Sequence, residues 1–297
     1  MTTTHEAEVQ ISNPGKVLFP ADGITKADLA DYYQRIAGAM LPWLRDRPIA
    51  MIRYPDGLSG DRIVQKNVPR YFPSWVRTAD VGKQGGTVRQ VVVDRPATLV
   101  YLAGQACIEM HGFLSRLGRL RQPDQLIFDL DPPDGTDFGA VVTVAHEVRR
   151  LLEDGLGLVT FVKTTGGRGL HVHVPLNAAD DFDAVREFAQ VAASALAARR
   201  PDLMTTDQRR GGRGDRVYLD VMRNAYAQLA VAPYSVRARP GAPVATPIEW
   251  DELDGGLQPG DLTVATVPGR RGDPWSAMRT RRLGLSQARA RLAKIAA

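Results

Sequence analysis

The sequence predicts an α/β protein whose middle part, residues 125–220, folds as a ferredoxin-like βαββαβ unit. Strand-like apolar runs and helical apolar patterns follow one another there in the order β-α-β-β-α-β. A Pro-Pro pair ends the first strand, and the turn TTGGRG joins the second strand to the third. In this topology the first strand is central, between the third and the fourth, and both helices cover one face. The opposite face is left open for chemistry.

Each element of this unit has a local signal, either apolar periodicity or a flanking cap or turn. The elements in order are the strand QLIFDLD (125–131), the helix FGAVVTVAHEVRRLLED (138–154) behind the potential cap Asp137, the strands GLVTFVK (157–163) and LHVHVPL (170–176), the helix DFDAVREFAQVAASALAARR (181–200) and the strand DRVYLD (215–220).

An N-terminal α/β module precedes this unit. Thr25 and Asp28 are three residues apart and form a capping pair, after which apolar residues recur at helical spacing. The sequence predicts strands at 49–53 and 90–93 and a helix at 97–110.

These patterns predict three parts of the chain. They are an N-terminal α/β module at 1–120, the βαββαβ unit at 121–240, and a C-terminal linker with a helix at 241–297 that packs on the same globule. The Pro- and Gly-containing tract RARPGAPVATP at 237–247 resembles a linker more than any other segment does.

The composition excludes secreted disulfide-rich proteins and membrane-spanning proteins. The 297 residues are 44% hydrophobic and 24% charged, which is enough to bury a full core. The single cysteine, Cys107, excludes a disulfide framework. The N-terminus has no signal-peptide pattern, so we expect a cytoplasmic, nucleoid-associated protein. A formal net charge of +5 fits a polyanionic partner.

Three aspartates are the candidate metal ligands. Asp129 and Asp131 are two residues apart on a strand, so both carboxylates emerge on the same face. Like charges this close are unfavourable unless a cation joins them, and carboxylate oxygens suit Mg²⁺ or Mn²⁺. Asp220 ends the fourth strand, beside the first, so three carboxylates would converge as two-metal nucleotidyl transfer requires. Alternatively, the first two are strand-end acids that face solvent.

The glycine-rich turn at 164–169 is a candidate anion site. Its glycines let backbone N–H groups point into one concavity, and Arg168 adds a forked cation. His171 and His173 follow on one strand face. His171 borders the predicted aspartates, where it could hydrogen-bond a nucleotide phosphate. The alternative is a zinc site formed by both histidines and an aspartate, for which His111 or His146 would have to supply a further ligand.

Motifs along most of the chain carry a family resemblance. They are ISNPGKVLFPADGITKADLADYY, RPIAMIRYPDG, QKN, FDLDPP, GGRGLHVHVPL, DRVYLD and NAYAQLAVAPYSVR. Together they resemble the polymerase domain of bacterial ligase D, a primase-polymerase of the archaeo-eukaryotic primase superfamily that serves non-homologous end joining. The resemblance implies a primase-polymerase fold, with an RRM-like catalytic palm fused to an N-terminal α/β module. It also implies a nucleotidyltransferase that adds NTPs or dNTPs to a primer 3′-hydroxyl.

The resemblance implies roles for individual residues. Positions matching Asp129, Asp131 and Asp220 bind two catalytic ions in the family, preferably manganese. The residues that match the incoming-nucleotide pocket are His111, Thr165, Arg168, His171 and Arg237.

The resemblance also implies a DNA partner with a gap, an overhang or a double-strand break. Lys16 and Lys26 match a pair that receives the 5′-phosphate of a DNA end. Two ammonium groups, with free N–H groups at a helix start, could bind one phosphate without reading sequence. A separate ATP-dependent DNA ligase and an end-binding protein would be further partners.

The chain departs from the family at several positions. Ile63 and Val64 stand where the family offers aromatic residues that stack on template DNA, and Val221 follows the third aspartate where tryptophan is common. The ligase motif Lys-x-Asp-Gly is absent, so we expect a stand-alone relative. Two alternatives to a polymerase are a metal-dependent nuclease or phosphodiesterase that uses the same carboxylates, and a catalytically inactive DNA-end-binding module.

Overall fold

The computed structural model describes residues 9–296, which form two units that are interleaved along the chain. The first, here called the N-terminal unit, runs to Gly112 and adds Val231–Ala245 and Gly260–Arg271. The second, here called the palm unit, contains Phe113–Ala230, Thr246–Pro259 and the chain from Gly272 onward. Every helix within residues 9–296 is too short or too polar to span a bilayer.

The regular elements of the described residues are as follows. The strands are β1 Val17–Phe19, β2 Ile24–Thr25, β3 Pro48–Arg53, β4 Ile63–Gln65, β5 Thr78–Lys83, β6 Gly86–Val92, β7 Cys107–Phe113, β8 Gln125–Asp131, β9 Phe161–Thr164, β10 Leu170–Pro175, β11 Met204–Thr205, β12 Val217–Asp220, β13 Leu229–Val231 and β14 Pro247–Ile248. The helices are α1 Lys26–Leu44, α2 Pro96–Gly104, α3 Phe138–Arg150, α4 Phe182–Arg199, α5 Arg210–Arg213, α6 Trp250–Asp254 and α7 Ser286–Ala296.

The N-terminal unit is built on a sheet with the strand order β13-β7-β3-β6-β5, and β4 pairs with β3. Helix α1 begins as predicted, because the Thr25 side chain accepts a hydrogen bond from the Asp28 N–H and the Asp28 carboxylate accepts one from the Thr25 N–H. Its apolar stripe is buried, and the hydroxyl of Tyr33 donates to the Ile108 carbonyl at 2.7 Å. The helix is therefore tied to β7 by a buried polar contact as well as by packing.

The prediction of one helix over 97–110 is wrong in its second half. Helix α2 ends at Gly104, and the chain turns at Ala106, which adopts a positive φ of 55°. Residues Cys107–Phe113 then form β7, antiparallel to β3. Ile108 and Met110 alternate with Glu109 and His111 over only four residues, directly after the apolar run of α2, so this short strand signal was read as the end of the helix. His111 consequently lies within a strand.

The palm unit confirms the predicted βαββαβ order and its strand arrangement. Its sheet has the order β11-β12-β8-β10-β9-β14, so the first strand of the motif, β8, lies between the third, β10, and the fourth, β12. Both β10 and β12 pair antiparallel to β8. The two helices of the motif, α3 and α4, pack against β8. Short strands β11 and β14 extend the predicted four-stranded sheet at its two edges.

The ends of the palm helices differ from each other. Helix α4 is capped by Asp181, whose carboxylate accepts a hydrogen bond from the Ala184 N–H at 2.8 Å. Asp137 precedes α3 as predicted, but its side chain makes no capping hydrogen bond. Helix α3 continues into a π-helical turn, Leu151–Gly155, so the helical segment ends close to the predicted residue 154.

Candidate active site

Strand register places four polar residues side by side across the palm sheet. Asp129 of β8 pairs with Asp220 of β12 on one side and with His171 of β10 on the other, and His171 pairs with Lys163 of β9. Directly paired residues point to the same face of a sheet. The result is a row across four strands, here called the polar row, in the order Asp220, Asp129, His171, Lys163. The predicted positions of Asp220 and His171 beside Asp129 are confirmed.

The apolar residues of β8 determine which face the row occupies. Phe128 and Leu130 flank Asp129 in the chain and are fully buried. Leu130 pairs with Leu170 and Leu219, which are also buried and form an apolar row on the opposite face. Because strand side chains alternate, a register slip by one residue would move the carboxylates to the helix-covered face and these leucines to the polar face. Packing of the leucines therefore fixes Asp129 on the polar face.

Arginines provide the positive charge around the aspartates. Arg223 Nε lies 3.4 Å from Asp129 Oδ2 and 3.7 Å from Asp220 Oδ2. Arg213 Nη1 lies 3.3 Å from Asp131 Oδ2, and its guanidinium carbon is 3.9 Å from the centre of the Tyr218 ring. The basic loop before β12 thus contacts the acidic cluster through Arg213.

The environments of Asp129 and Asp220 shift their pKa values in opposite directions. Burial alone would raise the pKa of Asp129, but His171 and the cations Arg223 and Lys163 lower it to about 2. Burial raises the pKa of Asp220, and the charges of Asp129 and Asp131 raise it further against the hydrogen bond from the Met222 N–H. An additional cation would counter this shift and favour the ionised form of Asp220.

His171 is a buried neutral base next to this cluster. Burial and the positive charge of Lys163 together lower its pKa to about 4, against the attraction of Asp129. Its Nε2 lies 3.4 Å from Asp129 Oδ1. Its Nδ1 is buried and has no hydrogen-bond partner among residues 9–296. This nitrogen is therefore available to a ligand.

The donor set of the three aspartates suits a hard divalent cation. Asp129, Asp131 and Asp220 contribute carboxylate oxygens on one sheet face, which is the chemistry that Mg²⁺ and Mn²⁺ prefer. In the described part of the chain, however, no three His, Cys, Asp or Glu side chains are arranged so that they could hold a metal ion as they stand. Arg213 and Arg223 supply counter-charge at the positions where a cation would be needed. Side-chain rotation of these arginines would accompany metal binding.

The glycine-rich turn between β9 and β10 is closed by its own hydrogen bonds. Gly166 adopts a positive φ of 65°, and a side chain at Gly169 would overlap the Leu130 carbonyl oxygen, so both positions require glycine. The N–H and the hydroxyl of Thr165 both donate to the Gly169 carbonyl at 3.1 Å. Arg168 is half exposed and forms an ion pair with Asp134. The turn thus lies against β8, with its arginine at the surface.

The remaining nucleotide-site candidates, His111 and Arg237, lie together in the N-terminal unit. Both contact Glu109, which precedes His111 by two residues on β7. His111 Nε2 lies 2.9 Å and Arg237 Nε 3.3 Å from Glu109 Oε2. The Ala238 N–H donates to Glu109 Oε1 at 3.0 Å. Glu109, His111 and Arg237 thus form one polar cluster around the buried Glu109 carboxylate.

The two candidate phosphate-binding lysines are neighbours. The β1–β2 hairpin pairs Val17 with Thr25, and the Lys26 N–H donates to the Lys16 carbonyl at 2.9 Å. Lys16 Nζ forms an ion pair with Asp56 at 2.9 Å, and Lys26 Nζ donates to the Ser12 carbonyl at 2.9 Å. Burial lowers the pKa of Lys26, and the charges of Lys16 and Arg53 lower it further.

The expectation of free N–H groups at this helix start is wrong. The N–H groups of Lys26 and Ala27 donate to the carbonyls of Lys16 and Pro14, and that of Asp28 donates to the Thr25 hydroxyl. The loop before the helix folds back and satisfies these donors. Any phosphate at this place would therefore be bound by the ammonium groups.

The structure also shows where the residues at the place of the stacking aromatics lie, and what the histidines of the alternative zinc site contact. Ile63 and Val64, at the place where the family offers stacking aromatics, are 42% and 50% exposed. His146, considered as an extra zinc ligand, lies on α3 with Nε2 2.9 Å from Asp254 Oδ1. His173 Nδ1 is paired with the Gln125 side chain at 3.0 Å.

Sequence reasoning missed three charged residues next to the candidates. Lys163 and Glu109 are charged residues within otherwise apolar, buried strands. A charged residue in an apolar strand can be recognised from the sequence, because such residues are almost never buried unless they are paired. Glu109 was hidden by the helix assigned to 97–110, because its i, i+2 relation to His111 matters only on a strand. Arg223 had no local signal, since it follows Asp220 by three residues in an irregular segment.

Comparisons with known proteins agree with this geometry. A family model described as the LigD primase-polymerase domain matches residues 25–275. The chain is 35% identical over 247 residues to a multifunctional non-homologous end joining protein LigD of Mycolicibacterium smegmatis, covering 82% of this chain and 32% of the relative. It is 31% identical over 261 residues to a bifunctional LigD of Bacillus subtilis, covering 88% of this chain and 42% of the relative.

A solved structure is similar over nearly the whole chain. The polymerase domain from Mycobacterium tuberculosis ligase D, in complex with DNA, superposes with a TM-score of 0.86 at 32% identity, covering 94% of this chain and 100% of that one. The chain spans between 32% and 42% of the length of the curated relatives named above. The resemblance inferred from the motifs is confirmed, and the chain belongs to the LigD primase-polymerase domain family.

Proposed function

We propose that this protein is a DNA-directed nucleotidyltransferase that adds NTPs or dNTPs to a primer 3′-hydroxyl. Its substrates are gapped, overhanging or broken DNA ends in non-homologous end joining or gap-filling repair. The observation that carries the proposal is the convergence of three aspartates on the polar face of the palm sheet, in a chain of this polymerase family. A separate ATP-dependent DNA ligase and an end-binding protein are the proposed further partners.

The charges of the palm unit suggest the role that we propose for each aspartate and arginine of the site. The family is metal-dependent, and two Mn²⁺ or Mg²⁺ ions held by Asp129, Asp131 and Asp220 would activate the primer hydroxyl and neutralise the triphosphate. Arg223 lies 3.4 Å from Asp129 and stabilises the ionised carboxylates before these ligands are engaged. Arg213 releases Asp131 by rotating away, since its contact distance of 3.3 Å marks a weak, partly exposed pair.

The residues that match the family's incoming-nucleotide contacts are proposed for each unit by itself. In the palm unit Thr165, Arg168 and His171 are the proposed contacts, and in the N-terminal unit they are His111 and Arg237. Arg168 pairs with the exposed Asp134, which a phosphate of higher charge would displace. The buried Nδ1 of His171 is the atom we assign to the nucleotide.

Incubation of labelled gapped DNA with manganese, with and without nucleotides, tests this function. We expect primer extension only when nucleotides are present, because the triphosphate provides the leaving group. Shortening of the DNA with or without nucleotides would support a metal-dependent nuclease instead. No change in DNA length, together with tight binding of DNA ends, would support an inactive end-binding module.

A second prediction concerns the 5′-phosphate of the DNA end, which we assign to Lys16 and Lys26. The variant Lys16→Ala/Lys26→Ala loses two charge-assisted contacts worth about 1.5–3 kcal/mol each. We therefore expect its affinity for gapped DNA with a 5′-phosphate to fall at least about tenfold, to the level of DNA with a 5′-hydroxyl. Fluorescence anisotropy at fixed salt with both DNAs measures the difference.

Two controls separate a local contact from general electrostatics. The variant Lys83→Ala/Lys294→Ala removes the same charge at exposed positions and should keep the preference for the phosphorylated end. Asp56→Asn removes the acidic partner of Lys16 and should leave binding equal or tighter. An unchanged preference for the 5′-phosphate in Lys16→Ala/Lys26→Ala would remove both lysines from the site.

A further inference from the structure

Glu109 is a buried carboxylate that contacts two residues assigned above to the incoming nucleotide. It is 6% exposed and lies on β7, and all its contacts named here are within the N-terminal unit. Its Oε2 faces His111 Nε2 at 2.9 Å and Arg237 Nε at 3.3 Å. Its Oε1 accepts a hydrogen bond from the Ala238 N–H at 3.0 Å. Both carboxylate oxygens are therefore in use.

A buried carboxylate is unfavourable unless its surroundings favour the charged form. Burial alone would raise the pKa of Glu109, but the hydrogen bond from His111, the charge of Arg237 and the Ala238 N–H lower it to about 2. Glu109 is consequently ionised at neutral pH and acts only as an acceptor.

The Glu109 carboxylate determines which His111 nitrogen carries a proton and how the Arg237 guanidinium is oriented. Because a carboxylate cannot donate, the His111 nitrogen that faces it, Nε2, carries a proton, and this contact fixes the ring orientation. The ion pair to Nε likewise fixes the plane of the Arg237 guanidinium, in which the two terminal nitrogens lie. The Glu109 side chain thus orients two other side chains, His111 and Arg237, which come from different parts of the chain.

We propose that Glu109 is a positioning residue that orients His111 and Arg237 toward the phosphate groups of the incoming nucleotide. The inference rests on the proposed nucleotidyltransferase function. Glu109 acts through its two partners, as outer-sphere carboxylates do when they orient a histidine. Preorganised donors bind a triphosphate better than mobile ones because less side-chain freedom is lost on binding.

The test is the kinetics of the variant Glu109→Gln with ATP, manganese and gapped DNA. An amide cannot accept from His111 and Ala238 with the same geometry and loses the ion pair with Arg237, so the KM for ATP should rise at least about tenfold while kcat at saturation changes less. A role limited to neutralising Arg237 predicts the opposite, since removing a negative charge would strengthen attraction of the triphosphate and lower the KM. An unchanged or lower KM therefore overturns the proposal.

Two further measurements keep the inference testable if Glu109→Gln folds poorly. Glu109→Asp retains the charge but shortens the side chain by one methylene, and it should raise the KM in the same direction. Nitrogen NMR of His111 should report a proton on Nε2 in the wild-type protein and a mixture of tautomers in either variant, a readout that needs no activity. A single unchanged tautomer in the variants contradicts the proposal.

A matched control distinguishes this inference from the proposed function. Glu187→Gln makes the same chemical change at an exposed position of α4 and should retain wild-type kinetics. If the wild-type protein adds no nucleotide, the proposed function fails. If the wild-type protein is active and the KM of Glu109→Gln is unchanged, only the positioning role of Glu109 fails.

Discussion

Replacing Asp129 and Asp131 by asparagine should abolish nucleotide addition while the protein remains folded. The two substitutions remove the negative charge that would hold divalent ions at β8, and amide oxygens are much weaker ligands. We expect a loss of at least about 10³-fold in the rate of primer extension, because both metal-assisted and electrostatic stabilisation of the transferred phosphate are lost. The measurement is single-nucleotide extension on gapped DNA with saturating manganese.

The matched control for this prediction is Asp215→Asn, an exposed aspartate before β12 that lies outside the polar row. It should keep wild-type activity. The melting temperature of the double variant checks that the palm unit is intact, since Arg223 retains Asp220 as a partner at 3.7 Å. Extension by Asp129→Asn/Asp131→Asn at more than a tenth of the wild-type rate would refute a catalytic role for these carboxylates.

Asn224→Ala should destabilise the protein more than any exposed substitution. Asn224 is fully buried; it accepts a hydrogen bond from the Ile127 N–H at 2.9 Å and donates to the carbonyls of Ile127 at 2.7 Å and Val221 at 2.9 Å. Each buried backbone group left without a partner costs about 1–3 kcal/mol. The free energy of unfolding should therefore fall by about 3 kcal/mol or more, as measured by urea denaturation.

This residue also ties the two strands that carry the aspartates. Ile127 precedes Asp129 by two residues, and Val221 directly follows Asp220. We therefore expect Asn224→Ala to reduce nucleotide addition at temperatures where it is still folded. Asn67→Ala, at an exposed position, should change the free energy of unfolding by no more than about 0.5 kcal/mol. A loss below about 1 kcal/mol in Asn224→Ala would contradict the structural role given to this side chain.

The palm unit could be predicted from the sequence because its signals agree with one another. Strand alternation put Asp129 and Asp131 on the face opposite Phe128 and Leu130, and the βαββαβ order restricted the neighbours of β8 to two strands. Together these rules place Asp220 and His171 beside Asp129 from the sequence alone. The resemblance to the family added residues such as Arg237, whose partners cannot be derived from local pattern.

Other features depend on tertiary contacts that a local pattern does not contain. Cys107–Phe113 is a strand that pairs with β3, although its alternation of apolar and polar residues is too short to mark the strand in the sequence. The donors at the start of α1 are satisfied by Lys16 and Pro14, residues of the preceding loop that only the folded chain brings there. The contacts of Arg213 and Arg223 with the aspartates likewise depend on where an irregular loop and a short turn lie.

Anomalous diffraction from crystals soaked with manganese and a nucleotide tests the central claim most directly. The claim is that Asp129, Asp131 and Asp220 hold the catalytic ions on the polar face of the palm sheet. We predict manganese peaks at about 2.1–2.3 Å from oxygens of these carboxylates, with Arg213 and Arg223 displaced from their present partners. The absence of manganese from this face in crystals that bind the nucleotide, or manganese bound only elsewhere, would contradict it.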